Sequence, residues 1–373
     1  MASSALPVPS HHRALVLETV EQGFSVQMVP TPQPGPGSAI VRIVEAGVIS
    51  YHRDIYNGER TYEFAKPIVG GLSAVARIVA VGHDAVVLQA GQLVWMDCVM
   101  HARDNPDSLF LNAIHEGSDA GSRKLSRDVW RDGAFAEYMR VPLENCFRLD
   151  ENRLCRELGY TTRELLYMMY LLVPFGGLRD IRLEPGETIV VGAATGGFGG
   201  AAVQVAVTMG ARVIAMGRNG KELARLKDHV KKGTPGANIE TVCMTGDYET
   251  DAAALQAFGT VDAVIDFTPA FACQSTHLKS AIRSLRRGGR CSMMGYVEDV
   301  INWNVIALNI TIKGKLMYER DDIVLFVKML ERGLFPRGKD LVDPKVFKME
   351  EWKEAFDVAA EWTGIGKTVM IEP

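Results

Sequence analysis

Residues 188–219, TIVVGAATGGFGGAAVQVAVTMGARVIAMGRN, decide how this chain is read. An apolar run at 189–191 meets a turn holding Gly192, Gly196, Gly197, Gly199 and Gly200. Val203, Val205, Ala206 and Met209 then mark the buried side of a helix. A second apolar run at 213–216 ends in Gly217-Arg218-Asn219. The order is strand, phosphate turn, helix, strand. Glycines let the backbone approach a pyrophosphate, and a helix start offers unpaired N–H groups and a positive dipole end. The turn reads Ala194-x-Gly196-x-x-Gly199, so alanine holds the first glycine place of G-x-G-x-x-G. A dinucleotide site is expected here, with Thr195, Gly196, Gly197, Phe198 and Gly199 around the phosphates. The bland alternative is a packing turn in some other parallel sheet.

The end of the second strand bears on which dinucleotide. NAD sites usually place Asp or Glu there to hold the ribose 2′-hydroxyl. Here the position is Gly217, followed by Arg218. Losing the carboxylate removes repulsion, and a guanidinium pairs bidentately with a 2′-phosphate. Asn219 and Lys221 add donors. NADP(H) is favoured over NAD(H); the alternative is that Arg218 is a solvated charge opening a helix.

Length and composition bound the rest. A chain of 373 residues suggests two domains, and 47% hydrophobic with 23% charged residues describes a globular protein with large cores. A net charge of −4 gives no electrostatic footprint for nucleic acid or an anionic membrane. No apolar run approaches the roughly 18 residues of a membrane span. The opening MASSALPVPSHH lacks the charged and apolar regions of a secretory signal, so a cytoplasmic location is expected. The six cysteines are scattered and form no C-x-x-C pair, which fits free thiols in a reducing compartment. No Cys/His cluster shows zinc-ligand spacing, so no metal is expected.

Residues 13–150 read as β-rich, with short apolar runs at 13–17, 39–44, 75–81 and 92–96 broken by Gly and Pro. That pattern suggests a folded-over barrel or sandwich. Residues 101–132 are polar without clear periodicity and read as a long excursion of the lid or binding-loop kind. A helical pattern over 156–182 is expected to end near 174–177. Strands at 188–192, 212–217, 239–244, 261–266 and 289–295 then alternate with helices, which predicts a doubly wound parallel sheet, an α/β fold. Residues 305–318 read as a last strand, and 321–332 and 350–362 as helices.

Three stretches carry a pattern: AGVISYHRDIYNG (46–58), VGGLSAVARIVAVGHDA (69–85) with AGQLVWMDC (90–98), and AATGGFGGAAVQVA (193–206) from the segment above. With the barrel-like front and central glycine turn, the chain resembles the medium-chain dehydrogenase/reductase superfamily over about residues 13–373. Its closest look is to zinc-free, fungal-type members found in natural-product pathways. The resemblance implies a GroES-like β-barrel-type domain over 13–155, an NADP-binding Rossmann domain over 156–315, and a segment at 316–373 returning to the catalytic domain.

The departures from that family are in its metal sites. Zinc-using members carry a ligand Cys three positions before the Asp matching Asp54; this chain has Tyr51 there. Their Gly-His-Glu matches Gly71-Leu72-Ser73, and their relay hydroxyl matches Arg53. After Cys98 no cysteine follows until Cys146, where the structural-zinc lobe would need four. Zinc-type alcohol dehydrogenase chemistry is therefore not expected. Hydride transfer to a carbonyl or an activated C=C needs a donor for the developing oxyanion and a proton. Tyr62, Tyr51 or solvent could supply it; Tyr56 reads as packing. The resemblance also implies cofactor contacts from His52, Thr245, Thr268, Gly295, Tyr296 and Arg320. It implies a homodimer paired along the edge strand expected at 306–312. The function expected is NADPH-dependent reduction of a hydrophobic small molecule. The alternative is a protein that keeps the fold, binds NADPH structurally and templates another reaction or acts as a sensor.

Overall fold

The computed structural model describes residues 8–298 and 303–373. The chain forms two compact units. One holds the chain up to Tyr167 with Pro344–Trp362 and Thr368–Pro373; the other holds Met168–Asp343 and Thr363–Lys367.

The first unit is antiparallel β. Its main sheet runs in the order Cys146–Arg148, Leu93–Met96, Ala74–Val81, Ser38–Val48, Lys367–Glu372, Asp343–Lys348, with Tyr138–Pro142 also paired to Ser38–Val48. Bulges between Ile40 and Val41 and between Ile43 and Glu45 bend the longest pair, as closing a barrel-like sheet requires. A smaller sheet joins Phe24–Pro30, His11–Leu17 and Ile68–Val69. The helix Trp352–Glu361 packs its aromatic face, Trp352 and Phe356, against Phe24.

The second unit is a six-stranded sheet, every pair parallel, in the order Ile239–Cys243, Arg212–Gly217, Thr188–Gly192, Val261–Asp266, Leu285–Met293, Thr311–Gly314. That is the 3-2-1-4-5-6 order of a doubly wound nucleotide-binding sheet. Thr188–Gly192 is buried along its whole length, because helices cover both faces of a parallel sheet. Val190, Ile214, Met216, Val264, Leu278 and Ile282 share one core cluster. The helix Gly220–Gly233 buries Leu223, Leu226 and Val230, one stripe at helical spacing.

Three expectations about elements need correction. The helix thought to end near 174–177 runs from Met168 to Asp180 through Pro174; almost every residue of it is buried, and packing outweighs the one hydrogen bond proline removes. Residues 305–318 are not one strand. A helix, Trp303–Ala307, precedes a short strand, Thr311–Gly314, with Asn309 at φ +50° between them. The excursion at 101–132 is ordered. It holds the hairpin Val99–His101/Leu109–Leu111, the helix Ala120–Lys124 and a π-helical turn Leu125–Val129. Polar capping by Asp119, and not apolar periodicity, organises it.

Candidate active site

In the parallel unit the glycine turn has the shape a pyrophosphate needs. The left-handed residue is Ala193, at φ +50°, so Ala194 can be a buried alanine whose N–H bonds Met216 O. A Cβ at Gly199 would sit 2.2 Å from Ala193 O, which forbids any side chain there. The helix Gly197–Thr208 follows, capped at its start by Gly196 with no side-chain hydrogen bond. Its first amides therefore point out of the turn without a protein side chain on them. Phe198 packs on Tyr170 at 4.9 Å and stacks on Phe267 at 6.3 Å between ring centres.

Gly217 ends its strand with Thr195 beside it, 3.2 Å from the position a Cβ would take. Arg218 is exposed and Lys221 is exposed on the first turn of the next helix. Asn219 is committed elsewhere: its Oδ1 caps that helix by accepting from Lys221 N and Glu222 N. Arg225, which the sequence reading missed, lies by the turn. The space over Gly364 has Arg225 Nη2 at 2.7 Å and Thr195 O at 3.2 Å. It sits one helical turn after Lys221, a spacing that could have drawn notice.

The other expected contacts of this unit form a scaffold around the strand ends. Thr245 donates its hydroxyl to Asp251 at 2.8 Å and accepts from Asp247 N at 3.1 Å. Thr268 is buried, and its hydroxyl lies 2.8 Å from Asp266 Oδ1 and 2.7 Å from His277 Nε2. His277 Nδ1 meets Ser275 Oγ at 2.7 Å. Thr268 and Thr245 thus spend their hydroxyls inside the protein. A Cβ on Gly295 would meet Thr268 N at 2.2 Å, so two strand ends close on each other here. Tyr296 is 63% exposed and Arg320 opens the helix Arg320–Glu331.

In the β unit, Tyr51, Arg60 and Tyr62 form one cluster. The Arg60 guanidinium lies 4.3 Å from the Tyr51 ring centre and 4.6 Å from that of Tyr62. Arg60 Nη2 donates to Tyr62 Oη at 2.7 Å. His115 meets the Tyr62 ring at 5.1 Å and 89°, edge to face. Its Nδ1 accepts from Gly117 N at 2.9 Å, leaving the proton on Nε2. Burial holds His115 below the ordinary imidazole range, against the pull of Glu116 and Glu63. Burial also pushes the Tyr51 phenol up, with Tyr62 adding to the rise and Arg60 opposing it. Arg60 and His115 escaped the sequence reading. Arg60 sits between Gly58 and Tyr62 in plain view, whereas His115 arrives from the distant excursion.

Three other residues near this cluster resolve differently. His52, expected to touch phosphate, is fully buried against Tyr56, Phe135 and Phe356, and burial pushes it down to about 3. It is a neutral core imidazole and presents no cation. Tyr56 is a packing residue: its hydroxyl donates to Ala113 O and accepts from Gly71 N, both at 3.1 Å. Arg53, at the relay position, pairs with Asp54 and Asp357. Among the described residues no group of three His, Cys, Asp or Glu side chains could hold a metal ion.

Comparison with known proteins places this architecture. The family model for the alcohol dehydrogenase GroES-like domain matches residues 35–151, and that for zinc-binding dehydrogenase matches 197–332, together more than half the chain. The chain belongs to the medium-chain dehydrogenase/reductase superfamily of oxidoreductases. It is similar to alcohol dehydrogenase 1 of Caenorhabditis elegans, 25% identical with 90% of this chain and 91% of that one covered. It is also similar to acryloyl-coenzyme A reductase of Metallosphaera sedula, 24% identical over 96% and 99%. Among solved structures, an E. coli CFT073 alcohol dehydrogenase complexed with NADH superposes with a TM-score of 0.76 at 19% identity, covering 98% and 100%. A Sinorhizobium meliloti 1021 protein bound to NADP gives 0.72 at 20% identity, covering 98% and 100%.

Proposed function

We propose that this protein is a zinc-independent, NADPH-dependent reductase of a carbonyl or activated C=C in a hydrophobic small molecule, acting as a cytoplasmic homodimer in secondary metabolism. The observation that carries the reading is the Tyr51–Arg60–Tyr62 cluster, whose Tyr51 stands at the position that the family resemblance gives to a zinc-ligand cysteine. Tyr51, Leu72 and Ser73 offer no ligand set, so charge on the substrate oxygen falls to protein donors. Arg60 fills an acceptor site of Tyr62 Oη, which leaves the Tyr62 proton free to be given to that oxygen. Tyr51 is the second phenol of the cluster and the alternative donor. The turn at Ala193–Gly199 fits a dinucleotide pyrophosphate, since only glycine fits at Gly199 and the helix start is uncapped by side chains. Arg218, Lys221 and Arg225 would hold a 2′-phosphate. Bound there, the nicotinamide supplies a hydride. The acryloyl-coenzyme A reductases among the relatives, which by name act on an activated C=C, support the reductase direction. The six free cysteines fit a reducing compartment. Loss of NADPH absorbance against a panel of enones, quinones and ketones tests the reading, with product mass after deuteride transfer locating the reduced bond. Tight NADPH binding with no turnover of any class would instead support a structural cofactor.

A further inference from the structure

Arg60 and Arg140 are the half-buried arginines of the β unit for which no ion pair is found among the described residues, and Arg140 donates to Val129 O at 2.8 Å. Arg13, Arg53, Arg77, Arg103, Arg127 and Arg163 each meet a carboxylate. Arg60 is half-buried, and no carboxylate within ion-pair distance of it is found among the described residues. A guanidinium carries five N–H donors in one plane. Its guanidinium carbon lies 4.3 Å from the Tyr51 ring centre and 4.6 Å from that of Tyr62, and one donor goes to Tyr62 Oη. The remaining donors lie in the plane that a carboxylate meets bidentately.

The surroundings carry little opposing charge. Asp54 is paired with Arg53. Glu116, fully buried behind His115, is held by Arg127 at 2.7 Å and Arg123 at 3.6 Å. Glu63 is exposed, and its backbone oxygen accepts from Glu116 N. His115 adds a neutral Nε2–H donor. A cation, an imidazole donor and two phenols therefore converge, and the carboxylates whose charge reaches His115 are Glu116, tied to Arg127 and Arg123, and the exposed Glu63. We propose that this cluster is a carboxylate-recognition site, so that the substrate is a hydrophobic molecule bearing a carboxylate that Arg60 anchors between Tyr51 and Tyr62. The proposal deepens the reductase reading and rests on it only for what becomes of the anchored molecule.

The test separates the two. Calorimetric titration of the full chain, saturated with NADP⁺ so that no hydride is consumed, compares trans-cinnamate with cinnamamide, which matches it in shape without the charge. The carboxylate should bind about tenfold more tightly, the effect of one charge-assisted hydrogen-bonded contact. Arg60→Gln should abolish the preference, and Arg60→Lys should keep part of it, because the charge survives without the planar fork. Circular dichroism melting checks that both variants fold, and the wild-type comparison stands by itself if one does not. Equal binding of the two probes, no binding of either, or a preference that survives Arg60→Gln overturns the proposal. NADPH oxidation is read separately with enones bearing and lacking a carboxylate, so turnover of neither beside an intact carboxylate preference would sink only the reductase reading.

Discussion

Arg218, Tyr62 and His52 are three residues whose substitutions report on different things. Arg218 is exposed and sits where a 2′-phosphate would be read. Arg218→Ala should weaken NADPH by about 1.5–3 kcal/mol, the span for a charged hydrogen bond, and leave NADH nearly unchanged. Equal losses for both cofactors in a fluorescence titration would refute the 2′-phosphate role. Tyr62→Phe should lower kcat by about 10²–10⁴-fold without touching NADPH affinity, since the hydroxyl meets substrate. If Tyr51 is the donor, Tyr51→Phe shows that loss instead; full turnover with both hydroxyls removed leaves water as the proton source. His52 reports on stability. Its ionisation is held down to about 3 from an ordinary 6.5 because charging it would bury an unpaired imidazolium. As pH falls below about 6.5 the unfolded chain takes up a proton that folded His52 refuses, so stability drops toward about pH 3. Between pH 7.5 and 5 this site costs about 2 kcal/mol, and His52→Leu should remove that share of the slope in urea unfolding. An unchanged slope would show that another group carries it.

The glycine turn works as an element, and its glycines are not equivalent. A Cβ at Gly199 collides with Ala193 O at 2.2 Å, while one at Gly196 meets the same oxygen at an ordinary 3.5 Å. Gly199→Ala should therefore distort the turn and abolish the rise in Tm that NADPH gives. Gly196→Ala should keep the fold and most of that rise. Similar thermal shifts for the two variants would mean that the turn does not shape the site. Sequence alone marks both positions alike, because a glycine motif records spacing and not which backbone oxygen lies opposite. The elements that escaped the sequence share a cause. The helix Met168–Asp180 passes through Pro174 because its whole circumference is buried. The excursion at 101–132 is held by side-chain caps and by Glu116 with its arginines, contacts without a hydrophobic period.

Across the whole molecule, assembly is the property most exposed to test. The parallel sheet ends on Thr311–Gly314, a strand with one neighbour. Trp303 at 73%, Ile306 at 64% and Leu316 at 64% exposure precede and follow it. An edge of this kind pairs readily with a second copy. Light scattering should show a dimer, and Ile306→Lys should shift it toward monomer. Ile310 would be a poor choice for that test, since it belongs to the buried core. A monomer at micromolar concentration for the unmodified chain refutes the expected pairing.

What the sequence determined by itself was the parallel sheet and the glycine turn between its first two strands. Strand runs such as 188–192 and 261–266 are continuous because both faces are buried, and the glycines between them are local necessities of the backbone. Periodicity and turn chemistry act over a few residues, so they are written in neighbouring letters. The Tyr51–Arg60–Tyr62 cluster was legible only in part. Tyr51 and Tyr62 could be nominated from position, but His52, Tyr51 and Tyr56 look alike as loop residues until folding buries one, stacks another on Arg60 and ties the third to Ala113 and Gly71. His115 reaches Tyr62 from more than fifty positions away. Burial and long-range juxtaposition depend on how distant segments pack, and that is why only the tertiary structure decided which side chains carry charge, which donate, and which merely fill space.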